Sequence, residues 1–332
     1  MKVLVTGASG FIGSTLCEEL SRHGHTVRAL DLAPAPVDLS FPVELILGDV
    51  TDAGTCARAV HGCDAICHLA AKVGDWGPAR SYFAVNVGGT EALLAAARGA
   101  GVGRFVLASS LAVHHYGGHL HADERAPRDA TINPYALSKI AAEDLLRQEA
   151  GPVEWVIVRP GVFPFGPRDL TSFVHMAAVA ERGQLGTVNG GSALVTTAYV
   201  ENLVQGLRLA VEHPKAADQI FVMGDPEPVS WRELFGRIAQ ALDAPPPRLN
   251  LPELAAYPLA AAMELGYRAL GIRSAPLLTR YRVLLASRDC HFVSDKAAEL
   301  LGYQPTVGLD EALARTVAWY RTHQQSGSLE VS

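Results

Sequence analysis

Short apolar runs alternate with longer amphipathic stretches along the first half of the chain. The runs predict strands at Lys2–Thr6, Thr26–Asp31, Val43–Leu47, Ala65–His68, Arg104–Ala108 and Trp155–Val158. The stretches between them predict helices at Gly10–His23, Asp52–His61, Arg80–Gly101 and Pro134–Glu149. This alternation is typical of parallel strands joined by crossover helices. The fold class is therefore α/β, with a doubly wound parallel sheet.

The pattern loosens beyond Arg159, where Gly and Pro become frequent and short helices alternate with isolated strands such as Gln219–Met223. This change predicts a smaller C-terminal α/β region that binds the substrate. We expect a first domain over residues 1–160 and the substrate-binding region over residues 161–324, with some of its segments returning to the core. Residues 325–332 are expected to form a flexible tail.

The longest apolar stretch, Leu251 to Ile272, is interrupted by prolines and charged residues. It therefore lacks the uninterrupted span of about 20 apolar residues that a bilayer requires. Its low charge permits two interpretations, a lid over the substrate site or a helix that makes peripheral contact with a membrane.

The composition and net charge of the chain limit the classes of binding partner that we expect. Hydrophobic residues make up 49% of the 332 positions, and 28 Lys and Arg face 34 Asp and Glu, for a formal net charge of −6. No stretch concentrates enough basic residues to follow a phosphate backbone, so nucleic acid is not an expected partner. The five cysteines lack the paired spacings of a disulfide framework or a zinc site, which favours a reducing cytoplasm.

The first predicted strand runs into a glycine-rich turn and then into a helix. Gly7 permits the tight turn, Gly10 allows backbone N–H groups to approach a pyrophosphate, and Gly13 allows close packing of helix and strand. The sequence therefore predicts a Rossmann-type dinucleotide site.

Asp31 ends the second strand, 18 positions after Gly13, where a carboxylate accepts hydrogen bonds from the adenosine ribose. A carboxylate there repels a 2′-phosphate, so NAD is favoured over NADP. Asp49, before Val50, has two open interpretations: it contacts the adenine, or Asp49 or Asp52 caps a helix.

Tyr135 and Lys139 are four residues apart on one predicted helix and share a face. An adjacent ammonium stabilises a phenolate, so we expect Lys139 to lower the pKa of Tyr135 and make it a usable acid or base. Upstream, Ser109 and Ser110 end the fifth strand at the edge where open α/β sheets bind ligands. A serine hydroxyl there can hold the substrate oxygen.

Together, the motif Thr6-Gly7-x-x-Gly10-x-x-Gly13, Ser110 and Tyr135-x-x-x-Lys139 resembles the extended branch of the short-chain dehydrogenase/reductase superfamily. The similarity continues through Asn86 and Arg159-Pro160-Gly161 to Leu301-Gly302-Tyr303-x-Pro305, and so covers nearly the whole chain.

The resemblance implies roles for individual residues. Ser110, Tyr135 and Lys139 form the catalytic set, with Ser110 preferred to Ser109, and Lys139 also holds the nicotinamide ribose. Asn86 is structural or part of a proton relay. The predicted NAD site comprises Gly7, Ser9, Gly10, Phe11, Ile12, Gly13, Asp31, Asp49, Val50, Leu69, Ala70, Ala71, Asn86, Ala108, Tyr135, Lys139, Pro160 and Val162.

Two further segments, Ala71–Pro78 and Gly224–Trp231, are similar to the 3β-hydroxysteroid dehydrogenase family. That family includes sterol-4α-carboxylate 3-dehydrogenases, and 2-alkyl-3-oxoalkanoate reductases lie nearby. The resemblance thus implies an NAD-dependent enzyme that interconverts a secondary alcohol and a ketone on a small hydrophobic substrate, foremost a 3β-hydroxysteroid or sterol. Apolar residues in the second half agree with such a substrate: Phe163, Phe165, Phe173, Leu185, Tyr199, Tyr257 and Tyr267.

Three alternatives remain open. A nucleotide-sugar epimerase or reductase of the same branch would bind the substrate pyrophosphate through arginines. A 2-alkyl-3-oxoalkanoate reductase would act on a fatty acid derivative. A non-catalytic module that senses NAD would have no reason to keep Ser110, Tyr135 and Lys139 together. For the pyrophosphate, the sequence offers Arg268, Arg273, Arg280, Arg282 and Arg288, although a solvated helical face explains them as well.

No metal site is expected. Four histidines follow Ser110: His114, His115, His119 and His121. Because they lack Asp, Glu or Cys partners at a defined spacing, we interpret them as residues at the mouth of the substrate site or as solvated side chains. Cys63 and Cys67 are interpreted as packed thiols. The resemblance also implies a homodimer. The predicted helices Arg80–Gly101 and Pro134–Glu149 have apolar faces on the flank of the sheet and are expected to form its four-helix interface.

Overall fold

The computed structural model describes residues 1–34, 43–129 and 132–325 of the chain. Residues 326–332 of the expected tail lie outside the described residues. The strands are β1 (Lys2–Thr6), β2 (Thr26–Asp31), β3 (Glu44–Leu47), β4 (Ala65–His68), β5 (Arg104–Ala108), β6 (His119–Ala122), β7 (Glu154–Pro160), β8 (Phe163–Phe165), β9 (Gly186–Val188), β10 (Leu194–Val195), β11 (Thr197–Tyr199), β12 (Gln219–Met223), β13 (Val229–Ser230), β14 (Leu249–Leu251) and β15 (Cys290–Phe292).

The helices lie between these strands and after them. They are α1 (Phe11–Arg22), α2 (Ala53–Val60), α3 (Ala79–Phe83), α4 (Gly89–Ala100), α5 (Pro134–Glu149), α6 (Phe173–Glu181), α7 (Val200–Glu212), α8 (Trp231–Ala241), α9 (Glu253–Ala269), α10 (Arg280–Ser287), α11 (Asp295–Leu301) and α12 (Leu309–Gln325).

The main sheet is parallel and has the order β12-β7-β5-β4-β1-β2-β3. Its central strands are buried on both faces, as their continuous apolar runs require. The direction of winding reverses between β1 and β4, and ligands of such sheets bind in the crevice at this switch point. The predicted doubly wound α/β sheet is confirmed.

The helix predicted over Arg80–Gly101 is present as unbroken helical backbone from Ala79 to Ala100. Its middle turn, Ala84–Gly88, is π-helical, which the prediction does not include, and this turn separates α3 from α4. Asn86 lies in the π turn, where its side chain bonds the backbone of Lys72 and the Ser138 hydroxyl. These bonds hold Asn86 against α5, and a periodicity argument cannot anticipate them because both partners are distant in sequence.

The strand Gln219–Met223 is not isolated, in contrast to the prediction. As β12 it pairs in parallel with β7 and forms one end of the main sheet. Its Phe221, Val222 and Met223 are fully buried, so the strand gains more from joining the large core than from a separate sheet. The division at residue 160 remains a prediction.

The rest of the second half forms smaller sheets beside the carboxyl edge of the main sheet, including β13-β10-β15-β6. Helices α9 and α10 pack against one another through Ala256, Ala260 and Val283. In the described ranges, no helix has both the length and the apolar character needed to cross a bilayer.

Candidate active site

The turn from β1 to α1 has no room for side chains at its glycines. A Cβ on Gly13 would lie 2.0 Å from the Gly7 carbonyl oxygen, and one on Gly7, whose φ is +68°, would lie 2.8 Å from the Ala70 nitrogen. Gly10 is the N-cap of α1, and no side chain caps the helix there. The first N–H groups of the helix, at Phe11 and Ile12, can therefore meet an anion, and these residues fit a dinucleotide pyrophosphate.

Asp31 lies beside this turn. Its carboxylate accepts hydrogen bonds from the backbone N–H groups of Ser9, at 2.8 Å, and Ala33, at 3.2 Å. The structure thus brings the predicted ribose-binding carboxylate and the glycine turn together at the end of β2. Two backbone donors therefore fix the orientation of this carboxylate.

The other residues predicted at the cofactor site differ in their surroundings. Asp49 is exposed and accepts a bond from the Thr51 N–H at 2.8 Å, whereas Asp52 caps α2 through the Thr55 N–H at 2.7 Å. Of the open interpretations, helix capping therefore belongs to Asp52. Val50 is buried in the core.

Beyond β4, the chain follows the glycine turn closely. The Leu69 N–H bonds the Thr6 carbonyl, and the Ala70 N–H bonds the Thr6 hydroxyl at 3.1 Å. Ala71 continues from them, and Pro160 ends β7 on the same edge of the sheet. Small side chains at positions 70 and 71 leave space at this edge.

Tyr135 and Ser110 face each other across the crevice. Asn133 caps α5 by accepting a bond from the Tyr135 N–H at 2.9 Å, which fixes the first turn of the helix. The Ser110 hydroxyl accepts a bond from the Ala112 N–H at 3.1 Å and lies near enough to the Tyr135 phenol to influence its pKa. Ser109 instead donates to the Glu143 carboxylate at 2.5 Å, deep in the protein. Of the two serines, only Ser110 is therefore placed to share a substrate oxygen with Tyr135.

The expected lowering of the pKa of Tyr135 by Lys139 is not found. Burial raises the pKa of Tyr135 to about 12, and the nearby Ser110 hydroxyl opposes this only in part. Lys139 is 3% exposed and donates to the Ala108 carbonyl at 2.8 Å. Burial lowers the pKa of Lys139 to about 8, against the attraction of Glu143. Desolvation is thus the largest influence on the pKa of both side chains.

A buried charge cluster behind Lys139 was not predicted from the sequence. Glu143 is fully buried, forms two bonds with Arg159 at 2.9 and 2.6 Å, and accepts a third from Arg128 at 3.0 Å. These bonds hold the pKa of Glu143 below its usual range in spite of its burial. The available signal was the spacing, because Glu143 follows Lys139 by four residues on the same face of α5.

A cavity opens to the surface beside Ser110. Its walls come mainly from the loop after Ser110 and from α10, and include Val162, Tyr116, Tyr281, Leu284 and Leu285. The aromatic residues predicted for the substrate lie elsewhere, because the core takes up Phe163, Phe165, Phe173, Leu185 and Tyr199. Sequence reasoning missed Tyr116 and Tyr281, whose rings meet at 5.4 Å although the residues are far apart in the chain.

Of the four histidines after Ser110, three line this cavity: His114, His115 and His119. Burial, with Arg159 nearby, lowers the pKa of His114 to about 3, so its ring is neutral. In the part of the chain that the structure describes, no three His, Cys, Asp or Glu side chains are grouped as metal ligands.

Four of the five arginines considered for a pyrophosphate form ion pairs within the chain. Arg280 pairs with Glu264 at 2.9 Å, Arg282 with Asp75 at 2.8 Å, and Arg288 with Glu253 at 3.1 Å. Arg268 also approaches Glu264, at 3.5 Å. Of these four, Arg288 lines the cavity.

These features, and the placement of Ser110 against Tyr135, define a class of NAD(P)-dependent oxidoreductases, the extended branch of the short-chain dehydrogenases/reductases. The chain belongs to the NAD dependent epimerase/dehydratase family, whose sequence pattern matches residues 3–224. Its cofactor is NAD.

Two relatives are similar along nearly the whole chain. A "2-alkyl-3-oxoalkanoate reductase" of Stenotrophomonas maltophilia is 35% identical, over 96% of this chain and 99% of the relative. A "3 beta-hydroxysteroid dehydrogenase/Delta 5-->4-isomerase" of Mycobacterium tuberculosis is 33% identical, over 96% of this chain and 90% of the relative. The two names describe different substrates, so the oxidoreductase class is shared and the substrate is not.

Among solved structures, MoeE5 in complex with UDP-glucuronic acid and NAD is 26% identical, with a TM-score of 0.76 over 97% of this chain and 99% of that one. The similarity extends through the smaller C-terminal sheets as well as the main sheet. The second half of the chain therefore follows the architecture of this branch throughout.

Proposed function

We propose that the protein interconverts a secondary alcohol and a ketone on a hydrophobic substrate, foremost a 3β-hydroxysteroid or sterol. The observation that carries this proposal is the cavity beside Ser110, whose walls are mainly apolar and aromatic. Such walls favour an apolar ligand, with a few polar groups to orient it. The steroid dehydrogenase named above supports the same substrate class.

In the oxidising direction, Tyr135 as the phenolate removes the proton of the substrate hydroxyl, and Ser110 holds the oxygen. NAD, when bound, supplies the hydride acceptor and the positive charge of the oxidised nicotinamide. Because burial raises the pKa of Tyr135 to about 12 and Lys139 alone does not offset it, we assign stabilisation of the phenolate to Lys139 together with the charge of the oxidised nicotinamide. Where the substrate carries a carboxylate β to the new ketone, loss of CO2 follows from the chemistry of β-keto acids.

A 2-alkyl-3-oxoalkanoate is the second candidate. His115 and His119 lie among the polar residues of the cavity wall, where a protonated imidazole can receive a carboxylate. The relative from Stenotrophomonas maltophilia supports this substrate class. The nucleotide-sugar alternative has less support, because the arginines it requires are engaged with Glu264, Asp75 and Glu253.

The test is NADH formation or consumption by the purified protein, with NAD or NADP and a panel of 3β-hydroxysteroids, long-chain 3-oxo and 3-hydroxy acids, and nucleotide sugars. We expect turnover of a steroid with NAD. Turnover of the 3-oxo acids alone would select the second candidate. Activity on nucleotide sugars alone, followed by product analysis because an epimerase gives no net NADH, would contradict the proposal.

The role of Tyr135 is tested separately. Tyr135→Phe removes the acid–base group, and we expect about a 10³-fold loss in kcat, as such groups contribute. NAD binding, followed by titration calorimetry, should change little. Tyr320→Phe is the matched control, because the Tyr320 hydroxyl bonds Glu181, away from the crevice. Equal turnover by the two variants would exclude Tyr135 as the acid–base group.

A homodimer and a reducing compartment are proposed with the same function. Phe83 and Leu137 are more than one-third exposed on α3 and α5, which supports these helices as an interface. Sedimentation of the purified chain tests the dimer.

All five cysteines lie in the described residues and are free thiols, which supports a reducing cytoplasm.

A further inference from the structure

The outward face of α9 is apolar along the length of the helix. Leu254, Leu259 and Leu265 are 93%, 47% and 69% exposed, and Leu270 and Leu277 just beyond the helix are 76% and 77% exposed. We call these five residues the leucine face. Surface helices normally turn their polar side outward, so this helix is inverted. Apart from Arg268, the other exposed residues of α9 are also apolar: Ala255, Pro258, Ala262 and Ala269.

The acidic side chains of α9 do not contribute charge to this face. Glu264 is 6% exposed and accepts bonds from the backbone and guanidinium of Arg280, at 2.7 and 3.0 Å. Glu253 pairs with Arg288 at 3.1 Å. Both carboxylates are therefore neutralised within the protein.

The segment of the chain that carries the leucine face is rich in arginine. Residues 248–288 contain six arginines, two glutamates and no lysine or aspartate, whereas the whole chain has a formal net charge of −6. Arg248, Arg268, Arg273 and Arg282 are exposed. An apolar face within a basic segment complements an anionic lipid surface, which takes apolar side chains at its acyl boundary and cations at its headgroups. Two copies of the chain paired through this face would bring like charges together.

The leucine face also lies next to the cavity. Helix α9 packs on α10 through Ala256, Ala260 and Val283, and α10 supplies Leu284 and Leu285 to the cavity wall. A surface that contacts α9 is therefore one helix away from the Ser110 crevice.

We propose that the leucine face docks on an anionic lipid bilayer. The five leucines enter the boundary between headgroups and acyl chains, and the arginines of the same segment contact the anionic headgroups. The helix lies in the plane of the surface and does not cross the bilayer. This binding rests on the surface alone and does not depend on the substrate proposed above.

The experiment is flotation of the full-length chain with vesicles of phosphatidylcholine, alone or mixed with phosphatidylglycerol. We expect binding to the mixed vesicles, weakened by salt. Leu254→Gln/Leu265→Gln should lower the partition coefficient by about tenfold per leucine, because each loses a buried apolar side chain. Arg248→Gln/Arg273→Gln should lower it by about fivefold per arginine, on anionic vesicles only.

Leu120→Gln/Leu170→Gln is the matched control, because both leucines are 57% exposed and lie outside the leucine face. It should float as the unaltered chain does. Circular dichroism and NAD titration check that every variant is folded. Absence of wild-type binding, or equal loss in the control, would overturn the proposal. So would sedimentation showing that the Leu254/Leu265 variant converts a dimer to monomers, since the face would then join two copies.

Discussion

Helices α5 and α9 depart from the usual distribution of side chains in opposite directions. On α5, Lys139 and Glu143 are almost entirely buried, although charged residues normally remain in water. On α9, Leu254 is 93% exposed, although leucine is normally inside. Helix α5 carries Tyr135 of the candidate site, whereas α9 lies one helix away from the cavity beside Ser110.

The two helices differ in where their unusual side chains find partners. Buried charges on α5 are tolerated because Arg159, Arg128 and the Ala108 carbonyl satisfy them within the chain. The exposed leucines of α9 have no comparable partner in the described residues, and the lipid surface proposed above would supply one. The buried charges of α5, in contrast, have all their partners within the chain.

The largest loss of stability is expected when Glu143 is replaced. Glu143→Leu leaves the Arg159 guanidinium buried without a carboxylate, which costs about 3–5 kcal/mol in the free energy of unfolding. Urea denaturation measures the loss. Glu311→Leu is the control, because its pair with Arg315 is exposed and contributes about 0.5 kcal/mol or less. If the two variants are equally stable, the α5 region does not depend on its buried charges.

A pH-dependent effect is expected at Lys139. Burial lowers the pKa of Lys139 to about 8, so between that pH and the unfolded value of 10.5 the unfolded chain holds a proton that the folded chain has released. The free energy of unfolding therefore rises with pH relative to Lys139→Met, by about 2 kcal/mol over this range. Urea denaturation of both proteins across the range gives the difference. A constant difference would contradict the lowered pKa.

A smaller loss of stability is expected at the glycine turn, which has no room for an added side chain. Gly13→Ala places a Cβ 2.0 Å from the Gly7 oxygen, so the turn must shift, at a cost of about 1–3 kcal/mol and with weaker NAD binding. Gly236→Ala is the control, because no atom lies within 4 Å of its Cβ. In helix α8 it should stabilise the fold by about 0.5–1 kcal/mol. Thermal unfolding and NAD titration distinguish the two, and unchanged NAD affinity in Gly13→Ala would argue against the turn as the pyrophosphate site.

The smallest change in stability is expected for a substitution on the leucine face. Leu265→Gln changes a side chain that is 69% exposed, so the free energy of unfolding should change by less than about 0.5 kcal/mol. Urea denaturation in the absence of lipid measures it. A loss above about 2 kcal/mol would show that Leu265 stabilises the fold, as a core leucine does, and would remove the contrast between α9 and α5.

Several elements could be predicted because their signals are local. The strands β1, β2, β4 and β5 and the helix α5 have the bounds expected from the sequence. Continuous apolar runs define buried strands, and Asn133 before Pro134 defines the start of α5. The pairing of Gly7, Gly10 and Gly13 with Asp31 is similarly local, because one β-α-β unit contains all four.

Other features could not be predicted because their partners are distant in sequence. The π turn at Asn86 depends on Lys72 and Ser138, and the cavity wall joins Tyr116 to Tyr281. The pKa of Tyr135 was expected to fall and instead rises, because desolvation depends on everything packed around the phenol.

By itself, the sequence determined the parallel sheet, the glycine turn, the helix that carries Tyr135 and Lys139, and the family. Periodicity, glycine spacing and helical spacing involve residues that are close together in the chain, so they can be recognised in the sequence. Only the tertiary structure decided that Glu143 and Arg159 pair behind Lys139, and that α9 turns its leucines outward. Burial and pairing across the chain settle these points, since desolvation and contact depend on what surrounds a side chain and not on its neighbours in sequence.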